Sequence, residues 1–189
     1  MLVLKQSQTA QIISLLSKGQ VGILPTDTIY GLVCKASDKS SVERLYKLKS
    51  RSNKPGTIIG AQIEQLVKLG IKYKYLKAVE QFWPGPVSVI IPCSELNYLR
   101  LGASGLAVRI PDDEKIIEIL RHVGPLLTSS ANLTDQPVAT NLIEAQNYFG
   151  EHVDFYLDGG NYSSRKSSTV VRVVDDAIEV IREGAAKIS

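Results

Sequence analysis

The sequence predicts an α/β fold built on an open, twisted, mixed β-sheet flanked by helices. Short apolar runs alternate with amphipathic segments over most of the 189 residues, which is the pattern of strands connected by helices. Several runs end directly in small polar residues, as strands do where an α/β sheet binds its ligand. The last two runs are separated only by the tight turn Asp175-Asp176-Ala177. That spacing predicts a hairpin, so the sheet contains antiparallel as well as parallel strands.

The composition is that of a single globular domain, which we predict to span residues 1–189. Hydrophobic residues make up 44% of the chain and charged residues 22%, and the net charge of +3 does not by itself indicate a nucleic-acid partner. Cys34 and Cys93 lie far apart in apolar surroundings, which argues against a metal or redox motif and favours a reducing compartment. The chain has no secretory-signal pattern and no run near the ~20 apolar residues of a membrane span. We therefore expect a cytoplasmic protein.

In the first half of the chain, apolar periodicity and helix-end signals define the elements. The predicted helices are Gln8–Ser17, Ser40–Lys49, Ile63–Leu69 and Lys72–Phe82, and the predicted strands are Gln20–Leu24, Thr57–Ala61 and Val87–Ile91. Ser40 and Glu43 have the spacing of a capping box at the start of the second helix. Trp83-Pro84-Gly85-Pro86 ends the fourth helix, because two prolines and a glycine in four residues do not continue a helix.

The second half continues the alternation. Its predicted strands are Leu106–Ile110, Pro125–Leu127, Val153–Leu157, Thr169–Val174 and Ile178–Glu183. One helix starts at Pro111 with acids in its first turn and runs to Val123. Another is capped by Thr140 or Asn141 and ends near Phe149. The segment Asn161–Ser168 is polar and basic, so its composition fits either a mobile lid over a site or an exposed linker.

Polar side chains cluster after two of the predicted strands. The segment Pro25–Leu32, PTDTIYGL, follows the first strand, and Thr128–Asn132, TSSAN, follows Pro125–Leu127. The loop Lys49–Gly56 adds three positive charges within six residues and also borders a strand. Arg109 is a charge within an apolar strand, so it must be paired or face a wet cleft. Cationic and neutral donors around one ligand suit an anion and the chemistry of phosphoryl or adenylyl transfer.

Other types of site find little support in the sequence. His122 and His152 are the only histidines and Ser130 has no evident base, so a Ser-His-Asp triad is poorly supported. The G-x-S-x-G, P-loop and G-x-G-x-x-G patterns do not occur. Each polar cluster also has an ordinary explanation, because turns are rich in small polar residues and charges near a helix end are usually solvated. A nucleotide site in this chain would therefore use a different arrangement.

Six motifs, taken in order, resemble the YrdC/Sua5 family. They are PTDTIYGL at 25–32, K-x-R at 49–51, WPGP at 83–86, AVRIPD at 107–112, S-x-N at 130–132, and STVVRV with IREG at 168–173 and 181–184. Each motif alone is weak, but the ordered set spans nearly the whole chain. The resemblance implies a YrdC/RibB-like sheet and a short, single-domain threonylcarbamoyl-AMP synthase. Such an enzyme converts L-threonine, bicarbonate and ATP into threonylcarbamoyl-adenylate and pyrophosphate, for N6-threonylcarbamoyladenosine in tRNA.

The resemblance and the clustering of donors together imply two sets of binding residues. The ATP set is Lys49, Arg51, Lys54, Ser130, Asn132, Arg165 and Ser168, with Lys49 and Arg51 also catalytic. The threonine set is Thr26, Thr28, Tyr30, Thr128 and Arg109, whose planar guanidinium suits the threonine carboxylate. No metal-binding side chains are predicted, and Mg²⁺ is expected to arrive with ATP. Attack of a threonine carbamate on the α-phosphorus needs no covalent enzyme intermediate.

Two other functions stay compatible with the resemblance. One is a double-stranded RNA-binding module without catalysis, which would use the Lys- and Tyr-rich stretch Lys72–Lys77 and the pair Arg165-Lys166. The other is a carbamoyl-adenylate module for another acceptor, although this chain lacks the zinc-finger cysteines and acylphosphatase segment of those larger proteins. Proteins that pass the adenylate to tRNA are expected partners. Gly56-Thr57 departs from the family, where many relatives carry a bulkier apolar pair, and this affects the expected shape of the cationic loop.

Overall fold

A computed structural model describes residues 1–50, 54–174 and 177–188 of the chain. In these ranges the strands are β1 (Leu2–Lys5), β2 (Gly22–Pro25), β3 (Tyr30–Lys35), β4 (Thr57–Ile59), β5 (Val87–Pro92), β6 (Gly105–Arg109), β7 (Leu126–Ser130), β8 (Phe155–Asp158), β9 (Thr169–Val174) and β10 (Ala177–Arg182). The helices are α1 (Thr9–Ser17), α2 (Lys39–Leu48), α3 (Ile63–Leu69), α4 (Tyr73–Lys77), α5 (Asn97–Arg100), α6 (Glu114–Val123) and α7 (Leu142–Phe149). A short 3-10 turn, Glu80–Phe82, follows α4.

All the described strands form one sheet, in the order β1-β8-β2-β3-β7-β4-β6-β5-β9-β10. β8 pairs in parallel with both β1 and β2, and the pairs β4–β6 and β5–β9 are parallel as well. The other neighbours are antiparallel, including the closing hairpin of β9 and β10. The sheet is therefore mixed, and the α/β class predicted from the sequence is confirmed.

Helices cover the two faces of the sheet unequally. On one face, α2, α3, α4, α5 and α7 pack around a long core that includes Val42, Leu66 and Phe149. On the other face, α1 and α6 bury Ile12 and Ile119 against β1, β2, β3, β4, β7 and β8. This second core contains no residue of β5, β6 or β9. That half of the face is left uncovered by the two helices, and it is where the site lies.

The structure adds two strands to those predicted. β3 starts at Tyr30, inside the motif PTDTIYGL, because the chain from Gly31 to Lys35 pairs with β7 instead of continuing as a loop. β1 pairs with β8, which is remote in sequence. Both strands are therefore set by long-range pairing, which local periodicity does not report.

Some element ends also differ from expectation. The segment 72–82 forms α4 and a separate 3-10 turn, because Val79 at φ −125° leaves helical geometry. The predicted capping box of Ser40 and Glu43 is wrong, since the carboxylate of Asp38 accepts from the backbone N–H groups of Ser40 and Ser41 and caps α2. At α7, Asn141 is the cap, one of the two residues expected there.

None of the described helices is suited to crossing a membrane. The longest, α2 and α6, have 10 residues each. A membrane-spanning helix needs about 20 apolar residues.

Candidate active site

A cavity of about 410 Å³ lies on the open half of the sheet face. One register row crosses its floor and places Thr128, Thr57, Ala107, Ile90 and Arg172 side by side on β7, β4, β6, β5 and β9. Residues in such a row share one face of a sheet, so segments that are distant in sequence meet in a single site. Sites for small molecules typically enclose about 300–1,000 Å³. The cavity is therefore of a size that takes a small ligand.

The motif PTDTIYGL forms a tight turn between β2 and β3. Thr26 Oγ1 donates to the carbonyl of Ile29 at 2.7 Å and accepts from the N–H groups of Thr28 and Ile29 at 3.2 and 3.3 Å. The Oγ1 atoms of Thr26 and Thr28 are 3.0 Å apart, and both threonines line the cavity. The hydroxyl of Thr26 is thus used to hold the turn, and Thr28 is the threonine presented beside it.

Arg109 ends β6 inside the cavity, with 3% of its side chain exposed. Its Nη1 donates to both carboxylate oxygens of Asp27, at 2.6 and 2.7 Å. Its Nε is buried and has no hydrogen-bond partner in the described structure. An unpaired buried donor costs roughly 1–3 kcal/mol, so the fold holds a guanidinium that favours a second acceptor. The expectation that Arg109 is either paired or faces a cleft is confirmed in both respects.

Tyr30 connects the turn to the chain that follows β8. Its hydroxyl donates to the carbonyl of Gly160 at 3.0 Å and accepts from the N–H of Gly159 at 2.8 Å. Burial raises the pKa of this hydroxyl above its ordinary value, so the phenol stays protonated near neutral pH. The hydroxyl is therefore committed to the Gly159-Gly160 turn, and it is the ring of Tyr30 that is left to face a ligand.

The segment Asn161–Ser168 lies against the same turn. The rings of Tyr162 and Tyr30 have centroids 5.1 Å apart, and the guanidinium of Arg165 lies 4.0 Å from the Tyr162 ring centroid. Arg165 Nη1 also donates to the backbone carbonyl of Asp27 at 3.2 Å. These contacts attach the segment to the PTDTIYGL turn. Its opening and closing as a lid stays a prediction.

Lys49 follows α2, and its ammonium lies against the S-x-N loop. Nζ donates to the Ser130 carbonyl at 2.9 Å and to Asn132 Oδ1 at 2.7 Å, and it also contacts the Asn132 carbonyl. Ser130 Oγ donates to Asn132 Oδ1 at 2.7 Å, and Thr134 Oγ1 donates to the Lys49 carbonyl at 2.6 Å. Lys49 is 1% exposed, so its ammonium holds this loop from the buried side. Direct contact between its ammonium and ATP stays a prediction.

The remaining cations of the cavity come from its open edge. Lys54 precedes β4, whereas Arg172 and Arg182 lie on β9 and β10. Arg182 Nη2 donates to the Ser168 carbonyl at 2.7 Å, and Arg172 pairs with Glu179 at 2.8 Å. The lining described for the cavity contains no Asp or Glu. Its charge therefore favours an anionic ligand.

Hydroxyl groups line the cavity without a histidine to activate them. Ser129 Oγ is buried and has no hydrogen-bond partner in the described structure. His122 Nδ1 bonds the Glu118 carbonyl in the last turn of α6, and neither histidine belongs to the described lining. A serine nucleophile needs an adjacent base, so this arrangement suits binding and positioning instead of covalent catalysis.

The structure brings most of the predicted site residues together. Those that line the cavity are Thr26, Thr28, Tyr30, Lys54, Arg109, Thr128, Ser130 and Ser168. Lys49 and Asn132 adjoin it through their bonds to Ser130, and Arg165 adjoins it through Asp27. Arg51 lies outside the described residues. The assignment of each residue to ATP or to threonine stays a prediction.

Three charged residues at the site were not among those predicted from the sequence: Asp27, Arg172 and Arg182. Each lies inside a motif that was quoted for its family resemblance. For Asp27 a signal did exist, because a charge in an apolar strand needs a partner, but the partner of Arg109 is 82 positions away. In the sequence, Arg172 and Arg182 resemble ordinary surface charges of a closing hairpin. Their place at the site follows from the pairing of β9 with β5.

The departure at Gly56-Thr57 has a structural reason. A Cβ at Gly56 would lie 2.5 Å from the carbonyl oxygen of Thr128, so the entry to β4 approaches β7 closely only with glycine. The N–H of Gly56 donates to the hydroxyl of Tyr46 at 3.2 Å, which fixes the same approach from the other side. The end of the cationic loop is therefore held tightly against the cavity wall.

Two further expectations concern metal and RNA. Among the described residues, no group of His, Cys, Asp and Glu is arranged to hold a metal ion. The Lys- and Tyr-rich helix α4 packs on the helix-covered face, on the side of the sheet away from the cavity. Binding of RNA by that helix stays a prediction.

The chain matches known proteins over most of its length. A family model named Sua5_yciO_yrdC, described as telomere recombination, matches residues 14–184. The chain is also similar to the threonylcarbamoyl-AMP synthase of Photobacterium profundum. The two are 31% identical over 184 residues, which cover 92% of this chain and 97% of that protein.

Two solved structures show the same fold. A crystal structure of Pyrococcus abyssi Sua5 complexed with L-threonine matches with a TM-score of 0.84 and 25% identity, covering 97% of this chain and 57% of that one. This chain therefore spans a little more than half of that Sua5. The crystal structure of Escherichia coli YciO matches with a TM-score of 0.82 and 22% identity, covering 98% of this chain and 96% of that one. At that identity the likeness is one of fold.

Proposed function

The chain belongs to the Sua5/YciO/YrdC family, and on that premise we propose that it is a threonylcarbamoyl-AMP synthase. It takes L-threonine, bicarbonate and ATP and releases L-threonylcarbamoyladenylate and pyrophosphate. The observation that carries the proposal is the buried pair of Arg109 and Asp27 in a cavity whose other described cations, Lys54, Arg172 and Arg182, are exposed. This arrangement offers one fixed place for a small carboxylate and a separate place for phosphates.

Arg109 binds the carboxylate of threonine. Asp27 takes Nη1, so the opposite edge of the guanidinium, formed by Nε and Nη2, is left for two parallel hydrogen bonds to the substrate. Thr28 and Thr128 line the same cavity and supply hydroxyl groups for the ammonium and hydroxyl of threonine. Asp27 holds Arg109 in place before the substrate arrives, which reduces the ordering cost of binding.

ATP binds toward the cationic edge, with Lys54, Arg172 and Arg182 beside its phosphates. The S-x-N loop, held by Lys49, contributes Ser130 and Asn132. ATP would enter as its Mg²⁺ complex, which would supply positive charge for the departing pyrophosphate.

The reacting groups belong to the substrates, and the side chains of the protein position them. The threonine amine adds to carbon dioxide derived from bicarbonate, loses a proton to solvent and becomes a carbamate. A carbamate oxygen then attacks the α-phosphorus of ATP as the bond to pyrophosphate breaks. Correct alignment and fixed positive charge account for most of the rate in such transfers. The cavity hydroxyls need no activating base in this scheme, which fits the absence of a histidine from its described lining.

The product is a mixed anhydride that water hydrolyses, so it must be consumed soon after release. Proteins that transfer the threonylcarbamoyl group to tRNA are therefore the partners that this reaction requires.

The proposal is tested by incubating the purified chain with ATP, labelled bicarbonate and each amino acid in turn. We expect labelled adenylate and an equal amount of pyrophosphate with threonine. Product with ammonia but not with threonine would indicate a carbamoyl-adenylate module for another acceptor. Absence of product with every amino acid, together with tight binding of RNA, would overturn the enzyme in favour of the RNA-binding module.

A further inference from the structure

A second concave surface lies beside the cavity, and the proposed reaction does not use it. This groove encloses about 930 Å³ and runs between the start of α3 and one side of α6. It is formed where the chain leaves the carboxyl ends of the parallel strands β4 and β6, after Ile59 and Arg109. In open α/β sheets, ligands bind beyond the carboxyl ends of the strands. The position of the groove is thus one that such folds use for recognition.

The floor of the groove is apolar and contains the first two residues of the WPGP motif. Its apolar residues are Ile63, Trp83, Pro84, Ile110, Pro111 and Ile117. Trp83 is the single tryptophan of the chain, is partly exposed, and donates its indole N–H to the Val87 carbonyl at 2.9 Å. The ring is therefore held in a fixed orientation at the groove surface. WPGP and the end of AVRIPD, which the catalytic scheme leaves without a role, both contribute to this floor.

The rim of the groove is acidic. Its carboxylates belong to Glu64, Glu80, Asp112, Asp113, Glu114 and Glu118, and the cation among the lining residues is Arg121. Glu80 already pairs with Lys77, and the Asp113 carboxylate caps α6. The carboxylates of Glu64, Asp112, Glu114 and Glu118 have neither an ion pair nor a hydrogen bond among the residues that the structure describes. The groove is therefore locally acidic although the chain as a whole has a net charge of +3.

We propose that this groove binds an arginine-bearing segment of a partner polypeptide. The unpaired carboxylates of the rim complement guanidinium groups, which bind carboxylates through two parallel bonds. The fixed indole of Trp83 offers a face on which a guanidinium stacks, and the apolar floor accepts the aliphatic side chains between the arginines. An acidic rim repels phosphate, so the chemistry excludes nucleic acid as the occupant. The groove starts one residue after Arg109, which places the partner next to the proposed threonine site.

Trp83 provides the measurement. A synthetic peptide of alternating Arg and Leu, free of Trp and Tyr, is titrated into the purified chain while Trp83 fluorescence is followed. We expect a saturable change that weakens as salt is raised, because the rim charges are exposed and screened. The same peptide with Glu in place of Arg is expected to give no change.

Variants of the rim localise the binding. Glu64→Lys with Glu118→Lys reverses two exposed, unpaired charges and is expected to weaken peptide binding about 10-fold. Glu43→Lys with Glu151→Lys makes the same change in net charge at exposed positions outside the groove, and binding is expected to stay as in the wild type. Both double variants should retain threonine-dependent adenylate formation. A failure of the groove proposal is thereby distinguished from a failure of the proposed enzyme.

Three results would overturn the proposal. The first is equal peptide affinity in the wild type and the rim variant. The second is a similar fluorescence change with the Glu peptide or with a single-stranded RNA. The third is a dimer of the wild type, detected by sedimentation, that the rim variant lacks, because the occupant would then be a second copy of the chain.

Discussion

Two cationic regions of one cavity differ in how the fold treats them. Arg109 is 3% exposed and is held by an Asp27 carboxylate that is 7% exposed, whereas Arg172 is 47% exposed and its partner Glu179 is 52% exposed. A buried pair keeps one geometry and is little screened, while an exposed pair is weak and adaptable. A small carboxylate benefits from the first arrangement, and a long, flexible triphosphate from the second. Burial alone thus places the same residue type in two different electrostatic environments.

The largest expected difference between the two regions is in stability. Arg109→Ala leaves the Asp27 carboxylate buried without its partner, so the free energy of unfolding should fall by about 3–5 kcal/mol. Arg172→Ala breaks only an exposed pair and should cost less than about 1 kcal/mol. Urea unfolding of the two variants measures both values. Adding Asp27→Ala to Arg109→Ala should restore part of the loss, and equal midpoints for the two single variants would contradict the contrast.

Lys49 extends the comparison to a buried cation that lies behind the cavity. Lys49→Met removes the ammonium that three acceptors of the S-x-N loop share, and should lower the free energy of unfolding by roughly 2–3 kcal/mol. We also expect a higher KM for ATP, because the loop carries two of the predicted nucleotide residues. Lys47→Met, on the exposed side of α2, is the matched control and should change neither quantity. A raised KM without any loss of stability would instead indicate direct contact of Lys49 with ATP.

A conservative change sharpens the assignment of Arg109. Lysine keeps the positive charge but not the fork of two donors, so Arg109→Lys should raise the threonine KM by about 10- to 100-fold. The KM for ATP should change much less. Steady-state kinetics with each substrate varied in turn gives this ratio. Equal effects on both constants would move Arg109 to a purely structural role.

Substitution in the exposed region, at Arg172, should change the KM for ATP only weakly, and the change should depend on salt. Arg172→Ala is expected to raise the KM for ATP by only about two- to fivefold at low salt, because an exposed cation is screened by solvent. At higher ionic strength the difference from the wild type should shrink. Lys68→Ala, an exposed lysine of α3, serves as the control. An effect of Arg172→Ala that is large and independent of salt would show that ATP binding buries this side chain.

The smallest effect is expected for the segment between the two regions. Arg165 is exposed and makes one 3.2 Å hydrogen bond to the turn, so Arg165→Ala with Lys166→Ala should change the ATP KM by about twofold. Kinetics on the double variant tests whether the segment acts as a lid. An unchanged rate and an unchanged KM would make it a linker. Tyr162→Ala, which removes the ring packed on Tyr30, then tests whether the aromatic contact alone attaches the segment.

The class of fold and many of the residues that line the cavity were predictable from the sequence. Alternation of apolar runs with amphipathic segments is a local property, and it reports strands and helices directly. Polar residues that follow strands at PTDTIYGL and TSSAN are likewise visible in short stretches of chain, and the structure places them in one cavity. The expectation for Arg109 followed from a single rule, that a charge among apolar residues needs a partner or water.

What local patterns did not report is which segments meet. β1 and β3 pair with β8 and β7, which are remote from them in sequence. Asp27 becomes the partner of Arg109 only because the sheet brings the PTDTIYGL turn to the end of β6. Lys49 is a surface-like residue in the sequence, yet it is buried against the S-x-N loop.

The sequence by itself therefore determined the α/β class, most of the element types and most of the candidate residues, because each depends on neighbours within a few positions. Only the tertiary structure decided which cations are buried and fixed and which stay exposed. That difference depends on the strand order, which places β6 near the middle of the sheet and β9 next to its edge strand. The energy of a charge depends on its distance from water and from its partner, and both distances are set by contacts between segments remote in sequence.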